Sequence, residues 1–496
     1  MHFDVRVLGV VISFLVSFLT FFDPSLPNDD AYAYIRIAEI ALHDGVSAAV
    51  QYYPWAGYSL LIALVSESGT ELITAAHIIN TFFLSLLVYS FISIVNCFDN
   101  SKSVSILATA CILLYPPLNE MRSDIIRDVP MWALCLFALW QFLLFIQVNR
   151  LANFLLFCLS LVFAAFFRPE AIIYLFSLPM ALLFDIRYTK RVRFLKVLKC
   201  IAIISFTLIS VIFIIRLIGI DVISIFWKFI SVYEPFLNNT LSPSEAQNYS
   251  LSRGIFGDYA RAYSGPYLGL FMTAGLFAIL TVKLFEGIGG PFFWLLGYGV
   301  VLRQIKLERF ILAPVLLFLF TNLSIVFGFI IITKFVSVRY SMLFCLVLVL
   351  FVPLVLNKII NQVHKTSMKN LGMRVLILFF GYCAFDSFIS FGASKSYIKE
   401  SLAWLETESS LGPQLVTNNH AIAYFSGKVK NYDQVTRFIS EGEILELEPN
   451  DLLALEMNYE MSQLVEKESL KPYLSLQATF PNSADIQLAI YLRVDP

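Results

Sequence analysis

The chain has 496 residues, of which 58% are hydrophobic and 14% charged, whereas soluble domains carry about 25% charged residues. The mean hydropathy of +0.75 indicates an integral membrane protein. A formal net charge of −1 and the lack of a basic stripe exclude nucleic acid as an expected partner. None of the seven cysteines lies in a long polar loop, and no CxxC or Cys/His cluster occurs. We therefore expect no extracytoplasmic disulfide, no metal site and no cofactor.

Apolar runs long enough for a helix to cross hydrocarbon follow one another along the chain. About eleven crossings are predicted, at residues 5–22, 72–96, 103–118, 129–147, 152–167, 171–184, 200–219, 288–302, 311–331, 339–356 and 374–391. The first run lacks a small-x-small cleavage site, so it is interpreted as a retained helix rather than a signal peptide. The apolar stretch 267–287 is predicted to be re-entrant or to lie along the outer face.

Three strongly basic linkers set the predicted orientation, because Lys and Arg are enriched in cytoplasmic loops. They are "DIRYTKRVRFLKVLK" (185–199), "RQIKLERF" (303–310) and "NKIINQVHKTSMKNLGMR" (357–374). Placing them in the cytoplasm puts the N-terminus inside and the C-terminus outside. The first loop, 23–71, then faces the outer side together with the tail.

The tail from residue 394 onward is polar and reads as a separate domain of about 100 residues, a common domain size. Its segments "QLVTNN", "DLLALEM" and "IQLAIYLRV" are typical of short buried strands, and "IKESLAWLETESS" has helical spacing. The predicted fold class is therefore mainly α. A polytopic helical bundle spans residues 1–393, and a small C-terminal α/β domain spans residues 394–496.

Charged residues collect in the loops predicted to face outward. Charges near a bilayer are costly unless they are paired or functional. Acids from the early loops and arginines from the later ones would share one side, as a site for a phosphate-bearing, lipid-linked substrate requires. The candidate residues are Asp29, Asp30 and Tyr53 in the first loop, Asp124 and Arg127 in the second, Arg168 in the third and Arg339 at the start of the span 339–356.

Each candidate also has a structural interpretation. Asp29 or Asp30 could cap the following helix, which has an apolar face and ends before Gly45. Two adjacent acids lie about 100° apart on a helix, so one could cap while the other serves chemistry. Arg122 and Arg127 could extend their charged ends to the interface or pair with nearby acids. The aromatics of "YYPW" are most often an interfacial belt.

Several segments, taken in order, resemble the GT-C glycosyltransferases, most closely the family 39, protein mannosyltransferase and aminoarabinose-transferase-like group. "DDAYAYIRIAEIALHDG" is similar to their Asp-acidic-x-x-Tyr motif, and "PWAGYSLLIAL" is similar to their P-x-G-Y-x-L-L-A-L segment. "RSDIIRDVPMW", "FRPEAIIYL" and "VRYSMLF" resemble the next three landmarks. The tail "AWLETESSLGPQLVTNNHAIAYFSGK" looks like the periplasmic domain of many bacterial members.

The resemblance implies an inverting sugar transfer from a polyprenyl-phosphate donor to a glycan, lipid or protein acceptor, within the lipids of a bacterial inner membrane. It implies that Asp29 is the general base. Arginine pairs with phosphate without a metal, so Arg339 and Arg168 are the first candidates for the lipid phosphate and Arg127 the third. Asp30 and Asp124 would orient the acceptor or those arginines. "YYPW" replaces the family's His-Pro-Pro or Pro-Pro, which leaves the acceptor open.

Three alternatives remain open at this point. A secondary transporter would have two similar halves and charges near mid-membrane. An O-antigen ligase or polymerase would use arginines and a histidine in one large late loop, whereas loop 221–265 has Arg253 and Arg261 but no histidine. A degenerate, non-catalytic member of the family is the third.

Overall fold

The computed structural model describes residues 4–22, 26–217, 219–241, 245–305, 307–365, 369–389, 395–408, 414–481 and 485–495. Backbone contacts divide the chain into two units. The helical unit comprises Met1–Phe21, Asp44–Ser123 and Arg127–Ser390, and the α/β unit comprises Phe22–His43, Asp124–Ile126 and Phe391–Pro496. The predicted domain boundary at 393/394 lies outside the described residues. The division differs from the predicted one because 22–43 and 124–126 pack with the C-terminal residues.

Apolar runs form helices here because a backbone in hydrocarbon must satisfy its own hydrogen bonds. In chain order the helices are α1 Val5–Leu19, α2 Asp29–Asp44, α3 Val46–Tyr52, α4 Gly57–Ser66, α5 Leu72–Phe98, α6 Lys102–Leu113, α7 Pro116–Glu120, α8 Asp128–Val148, α9 Leu151–Phe167, α10 Ala171–Ser177, α11 Lys190–Leu217, α12 Val222–Leu241, α13 Glu245–Ser264, α14 Leu268–Ile288, α15 Gly290–Val301, α16 Arg309–Thr333, α17 Val338–Val349, α18 Val352–Val363 and α19 Lys369–Phe388. Short 3-10 helices are Thr20–Phe22, Leu178–Phe184, Gly265–Tyr267 and Lys471–Tyr473.

Eight helical segments among these residues are long and apolar enough to cross a membrane. They are Val5–Phe22, Leu72–Phe98, Asp128–Val148, Lys190–Leu217, Ala246–Ile288, Arg309–Thr333, Val338–Val363 and Asn370–Phe388. The chain is thus a multi-pass membrane protein with a helical bundle, as its composition predicted. The other predicted spans correspond to the shorter apolar helices Lys102–Leu113, Leu151–Phe167, Ala171–Phe184 and Gly290–Val301.

The three basic linkers lie at one end of the helical unit. The Arg187 guanidinium carbon is 3.7 Å from the ring centroid of Phe310, which joins the first linker to the second. Lys358 Nζ donates a hydrogen bond to the backbone carbonyl of Gln304, which joins the second to the third. The predicted grouping of these linkers on one side is therefore confirmed. We call this side of the helical unit the basic end.

The direction of helix α8 identifies the residues at the end of the helical unit opposite the basic end. Arg187 Nη2 donates to the carbonyl of Ile146, 3.0 Å away, so the C-terminus of α8 is at the basic end. Arg6 lines a cavity there together with Gln147, so residues at the start of α1 share this end. Asp128 begins α8. It therefore lies about 27 Å away along the helix, at 1.5 Å per residue. We call that side the arginine end, after Arg127, Arg168 and Arg339.

The apolar stretch predicted to be re-entrant forms one continuous helix of 21 residues, α14. The stretch is also part of Ala246–Ile288, which is long and apolar enough to cross a membrane. Leu276, in the middle of α14, belongs to one buried cluster with Ile330, which lies close to the end of α16. The C-terminal end of α14 brings Gly287 against Ser341 in the first turn of α17. Both are at the arginine end, and the prediction that this stretch is re-entrant or lies along the outer face stays a prediction.

The α/β unit contains one four-stranded sheet in the order β1-β2-β4-β3. Its strands are β1 Leu415–Thr417, β2 Leu452–Glu456, β3 Leu474–Phe480 and β4 Leu488–Arg493. β1 and β2 are parallel, whereas β4 is antiparallel to both β2 and β3. The accompanying helices are α20 Ser396–Thr407, α21 His420–Phe425, α22 Glu441–Leu445 and α23 Tyr459–Val465. Three strands and α20 were predicted, but β3 was missed.

Both faces of this sheet are covered, because successive side chains of a strand point to opposite faces. Leu452 and Ala454 of β2 enter one core, and Leu453 and Leu455 enter the other. The buried ring of Tyr32 from α2 belongs to the first core. This explains why the first-loop helix packs with the tail: its apolar face completes the first core of the sheet. The buried residues of α2 are Ala31, Tyr32, Ile35, Ile37 and Ala38.

Candidate functional site

A buried ion pair joins α8 and α9 at the arginine end. Arg168 follows the last residue of α9, where Pro169 ends the helix, and Asp128 is the first residue of α8. Arg168 Nη2 lies 2.5 Å from Asp128 Oδ1, and Nη1 lies 3.1 Å from Glu170 Oε1. Arg168 is 9% exposed and Asp128 only 2%. The charge of Arg168 is therefore balanced by carboxylates inside the protein.

Tyrosine rings surround the three arginines. The guanidinium carbons of Arg168 and Arg339 lie 4.8 Å and 5.1 Å from the ring centroid of Tyr340, within cation–π range. Arg127 Nη1 donates a hydrogen bond of 2.9 Å to the hydroxyl of Tyr53. The helical unit thus brings together four residues that the sequence singled out.

The three arginines line a cavity of about 580 Å³ in the helical unit. Its charged lining consists of Arg127, Arg168 and Arg339 against Asp128 and Glu170, which leaves one excess positive charge. Most of the remaining lining is apolar or aromatic and includes Met131, Trp132, Phe226, Phe229, Phe329 and Leu343. A cavity with this lining can hold an anionic group beside an apolar chain.

The "PWAGY" segment fixes the loop that carries Tyr53 onto α9. Trp55 Nε1 donates a hydrogen bond of 2.5 Å to the carbonyl of Ala165, and its ring lies 4.8 Å from that of Phe229. A Cβ atom at Gly57 would collide with the carbonyl oxygen of Phe166, so glycine allows this close approach. Trp55 therefore fixes this loop through internal contacts, and the predicted interfacial belt stays a prediction.

The two adjacent acids open α2 as its first two residues. The residue before them is Asn28, whose carbonyl accepts a hydrogen bond of 2.9 Å from Ala31. Its side-chain oxygen accepts one of 2.7 Å from the backbone N–H of Ile125. Asn28 thus directly precedes the helix, and the prediction that Asp29 or Asp30 caps it stays a prediction. Both acids lie in the first turn, where the helix dipole favours negative charge.

Asp29 forms an exposed ion pair inside the α/β unit. Its Oδ2 lies 2.9 Å from Arg437 Nη2, and the two side chains are 47% and 79% exposed. The pKa of Arg437 is raised, first because its guanidinium donates to the Asp29 carboxylate. Exposed pairs contribute roughly 0 to 1 kcal/mol. A substrate group could therefore replace Arg437 at the carboxylate for little energy.

A polar network occupies the carboxyl ends of the parallel strands β1 and β2. The Tyr397 hydroxyl donates a 2.5 Å hydrogen bond to Glu456 Oε1, and Asn419 Nδ2 donates one of 2.9 Å to Oε2. The pKa of Tyr397 is raised, mainly by burial and then by the Glu456 carboxylate. Asn418 also bonds the backbone of Glu456 in both directions. This network holds the end of β2 in place.

The predicted site residues divide between the two units. Asp29, Asp30 and Asp124 belong to the α/β unit, and the predicted tyrosine and arginines belong to the helical unit. Arg122, predicted to be interfacial or paired with an acid, is instead 3% exposed. It donates to Asn119 and to Ser17 of α1, and burial lowers its pKa to about 10. Its role is to hold α1 in place.

Two ion-pair partners and one aromatic ring were not predicted from the sequence. Asp128 was considered for Arg122 or Arg127, but it pairs with Arg168. Arg437 lies 408 positions from Asp29, so no local pattern could connect them. Tyr340 follows Arg339 directly in "VRYSMLF", and that adjacency was the one available signal.

No group of three His, Cys, Asp or Glu side chains that could hold a metal ion occurs among the described residues. His420 has a structural role. Its Nδ1 lies 2.8 Å from the carbonyl of Tyr432, and its ring stacks 6.0 Å from that of Tyr32.

No family model matches the chain, and no curated protein matches it. Among solved structures it is similar to the oligosaccharyltransferase of Archaeoglobus fulgidus in complex with zinc and sulfate. That similarity has 12% identity and a TM-score of 0.47, over 99% of this chain and 73% of the other. It is also similar to a mutant of the arabinofuranosyltransferase AftD from Mycobacteria, with 12% identity and a TM-score of 0.46. There the match covers 99% of this chain and 41% of the other, so any function assigned to this protein rests on its own residues.

Proposed function

We propose that the protein is a membrane glycosyltransferase that moves a sugar from a polyprenyl-phosphate donor to an acceptor hydroxyl. The observation that carries the proposal is the cavity in the helical unit, where an excess of positive charge meets an apolar lining. A polyprenyl phosphate has the same two parts, an anionic phosphate and a long apolar chain. The ordered resemblance of the sequence to the GT-C enzymes supports the same class.

The donor phosphate is proposed to bind Arg339 and Arg127. Arginine presents a planar fork of N–H donors that matches phosphate oxygens and stays charged at any physiological pH. Arg168 is proposed as a positioning residue, because two carboxylates already hold its guanidinium. It would keep Tyr340 and the positive side of the cavity in place.

Asp29 is proposed as the general base. Its carboxylate is about half exposed, begins a helix and has an exposed partner that is easily displaced. In the reaction, Asp29 takes the proton of the acceptor hydroxyl while that oxygen attacks the anomeric carbon of the sugar. The bond from this carbon to the phosphate oxygen breaks, and the phosphate leaves with the electron pair. The configuration inverts. Asp30 and Asp124 are proposed to orient the acceptor.

An in-vitro transfer assay with a panel of polyprenyl-phosphate sugars tests the base. Asp29→Asn should lower kcat by roughly a hundredfold or more, as loss of a general base does. Asp44→Asn is the matched control, because it changes an exposed acid at the other end of the same helix. Transfer at the wild-type rate by Asp29→Asn would show that the base assignment is wrong.

Donor binding tests the cavity separately. Arg339→Gln should raise the donor KM roughly tenfold to a hundredfold, the value of one hydrogen bond to a charged group. Arg150→Gln, an exposed arginine after α8, is the control. If no donor in the panel binds or is turned over, the proposed class of enzyme fails.

The basic end is proposed to face the cytoplasm of a bacterial inner membrane, so that the arginine end faces the periplasm. The positive-inside rule supports this orientation. Single cysteines introduced at Lys190 and Lys334 should react with an impermeant reagent from the cytoplasmic and periplasmic sides, respectively. The opposite labelling would overturn both the orientation and an outer-face reaction.

A further inference from the structure

A cavity of about 1500 Å³ in the helical unit lies between α1, α5, α6 and α8. Among the residues that the structure describes, it shares no lining residue with the cavity that Arg127, Arg168 and Arg339 line. Its volume exceeds the roughly 300 to 1000 Å³ of a site for a small molecule. A ligand that fills it is therefore large, and its binding is separate from the proposed transfer reaction.

Polar side chains line this cavity at the basic end. They come from the start of α1, the end of α5, the start of α6 and the end of α8: Asp4, Arg6, Asn96, Asn100, Lys102, Ser105 and Gln147. Arg6 and Lys102 outnumber Asp4, which leaves one excess positive charge in the described lining. Arg6 pairs with Asp4 at 2.6 Å, whereas Lys102 forms no ion pair in the described part of the chain. The polar end therefore suits an anionic group.

Apolar side chains line the cavity further from the basic end. They include Ile12, Val16, Ile106, Ala110, Leu113, Leu114 and Phe388. At 1.5 Å per residue, α1 advances about 15 Å from Arg6 to Val16, and α6 advances about 16 Å from Lys102 to Leu113. The hydrocarbon core of a bilayer is about 30 Å thick, so each distance is close to the depth of one leaflet. The apolar part therefore suits a hydrocarbon chain of a membrane lipid.

The polar and apolar parts are one continuous space along the same helical faces. On α6, positions 102, 106, 109 and 113 all line it, with the i, i+4, i+7, i+11 spacing of one face. On α1, positions 5, 8, 12 and 16 line it with the same kind of spacing. A single ligand that follows these two faces thus contacts the charged end and the apolar part together.

One buried polar group in the lining lacks a partner. Ser93 of α5 lines the cavity and is 1% exposed, and its hydroxyl has no hydrogen-bond partner among the described residues. It lies about 7.5 Å before Phe98, the last residue of α5, and therefore between the polar end and the apolar part. A glycerolipid carries ester carbonyls between its phosphate and its acyl chains, and such a carbonyl would accept a hydrogen bond at this level.

We propose that this cavity binds one anionic phospholipid, with its phosphate at Lys102 and Arg6, its ester groups near Ser93 and an acyl chain along α1 and α6. Basic pockets between membrane helices are a recognised kind of anionic lipid site. A free phosphate would leave the apolar part empty, and a lipid without net charge would leave the excess positive charge unbalanced. The order of charged, polar and apolar lining is that of a phospholipid.

Titration of the full chain in neutral detergent, followed by native mass spectrometry, tests the proposal. The probes are phosphatidylglycerol, phosphatidylcholine and glycerol phosphate. Phosphatidylglycerol should bind at least fivefold more tightly than phosphatidylcholine, and at least tenfold more tightly than glycerol phosphate, which has no acyl chain. Lys102→Gln should weaken phosphatidylglycerol binding about fivefold, the effect of one cation near an anionic lipid, and Arg6→Gln combined with it about twenty-fivefold.

Matched variants separate this site from the general basicity of that end. Lys190→Gln removes an exposed cation from a basic linker and should leave binding unchanged. Ile12→Trp fills the cavity and should weaken phosphatidylglycerol binding at least fivefold, whereas Leu15→Trp, exposed on the same helix outside the lining, should not. If Ile12→Trp does not fold, Lys102→Gln decides, because its side chain is exposed.

Equal binding of phosphatidylcholine or of glycerol phosphate would overturn the proposal. Unchanged binding in Lys102→Gln, or equal losses in the control variants, would also overturn it. The same spectra give the oligomeric state of the chain. A stable dimer that retains no lipid would show that a second copy covers the cavity, and the proposal would then be wrong.

Discussion

Removal of Arg168 should destabilise the helical unit more than removal of Glu170, one of the two carboxylates that it contacts. Arg168→Gln leaves Asp128 buried without its ion-pair partner, and such a loss costs about 3 to 5 kcal/mol. Asp128 begins α8, and the dipole of this helix stabilises the unpaired carboxylate by about 1 kcal/mol. The expected loss is therefore about 2 to 4 kcal/mol. Glu170→Gln should cost at most about 1 kcal/mol, because that side chain is partly exposed and Asp128 still balances Arg168.

Unfolding of the purified protein by SDS in mixed micelles, followed by circular dichroism, measures these losses. The double variant Arg168→Gln, Asp128→Asn provides the internal control. It removes both charges, so its free energy of unfolding should recover relative to Arg168→Gln alone. If Arg168→Gln is as mild as Glu170→Gln, or if the double variant is less stable than Arg168→Gln, the ion pair does not have the assigned role.

The α/β unit offers three further predictions. Tyr32→Phe should stabilise it by about 1 kcal/mol, because the buried hydroxyl has no hydrogen-bond partner among the described residues. Tyr32→Ala should destabilise it by about 3 to 5 kcal/mol, because the ring is lost from the core. Hydrogen exchange of residues 395–495 in the full chain measures both changes. Hydrogen bonds from Ser440 lower the pKa of Glu443. The stability that the Glu443 carboxylate adds to the folded unit is therefore complete above its unfolded pKa of about 4.3 and is lost as pH falls through the folded pKa. Glu443→Gln should remove this pH dependence from thermal melts. Arg437→Gln should change stability by less than about 1 kcal/mol, and a larger loss in the same exchange experiment would contradict an exposed pair.

Local patterns predicted the elements whose causes are local. Apolar length defined the spans, basic linkers identified one end of the bundle, and short apolar segments typical of buried strands identified β1, β2 and β4. β3 was missed although its sequence "LSLQATF" alternates apolar and polar residues. The side chains of this edge strand are at most partly buried, whereas the predicted strands were identified as buried segments. The four shorter apolar helices were predicted as full spans. One of them ends early because Pro116 and Pro117 start a new short helix.

Long-range pairing could not be predicted in the same way. The sequence placed α2 in the membrane domain because it follows the first span, but Tyr32 completes a core formed with residues almost 400 positions later. No single-sequence pattern encodes such a partner. The arginine cluster was predicted because charges are rare at the outer face, so each one stands out. The packing of α8 against α9 determines which arginine pairs with which acid. This packing could not be predicted from the sequence pattern.

The energetics of the cluster separate the roles of the three arginines. To bind a phosphate directly, Arg168 would have to give up Asp128, at a cost of about 3 to 5 kcal/mol, and regain about 1.5 to 3 kcal/mol from a charge-assisted hydrogen bond. The exchange is unfavourable. Arg339 and Arg127 contact tyrosines through hydroxyl and ring interactions that can coexist with a phosphate. Arg168→Lys should therefore lower stability and leave the donor KM unchanged. Arg339→Lys should raise the donor KM and leave stability unchanged.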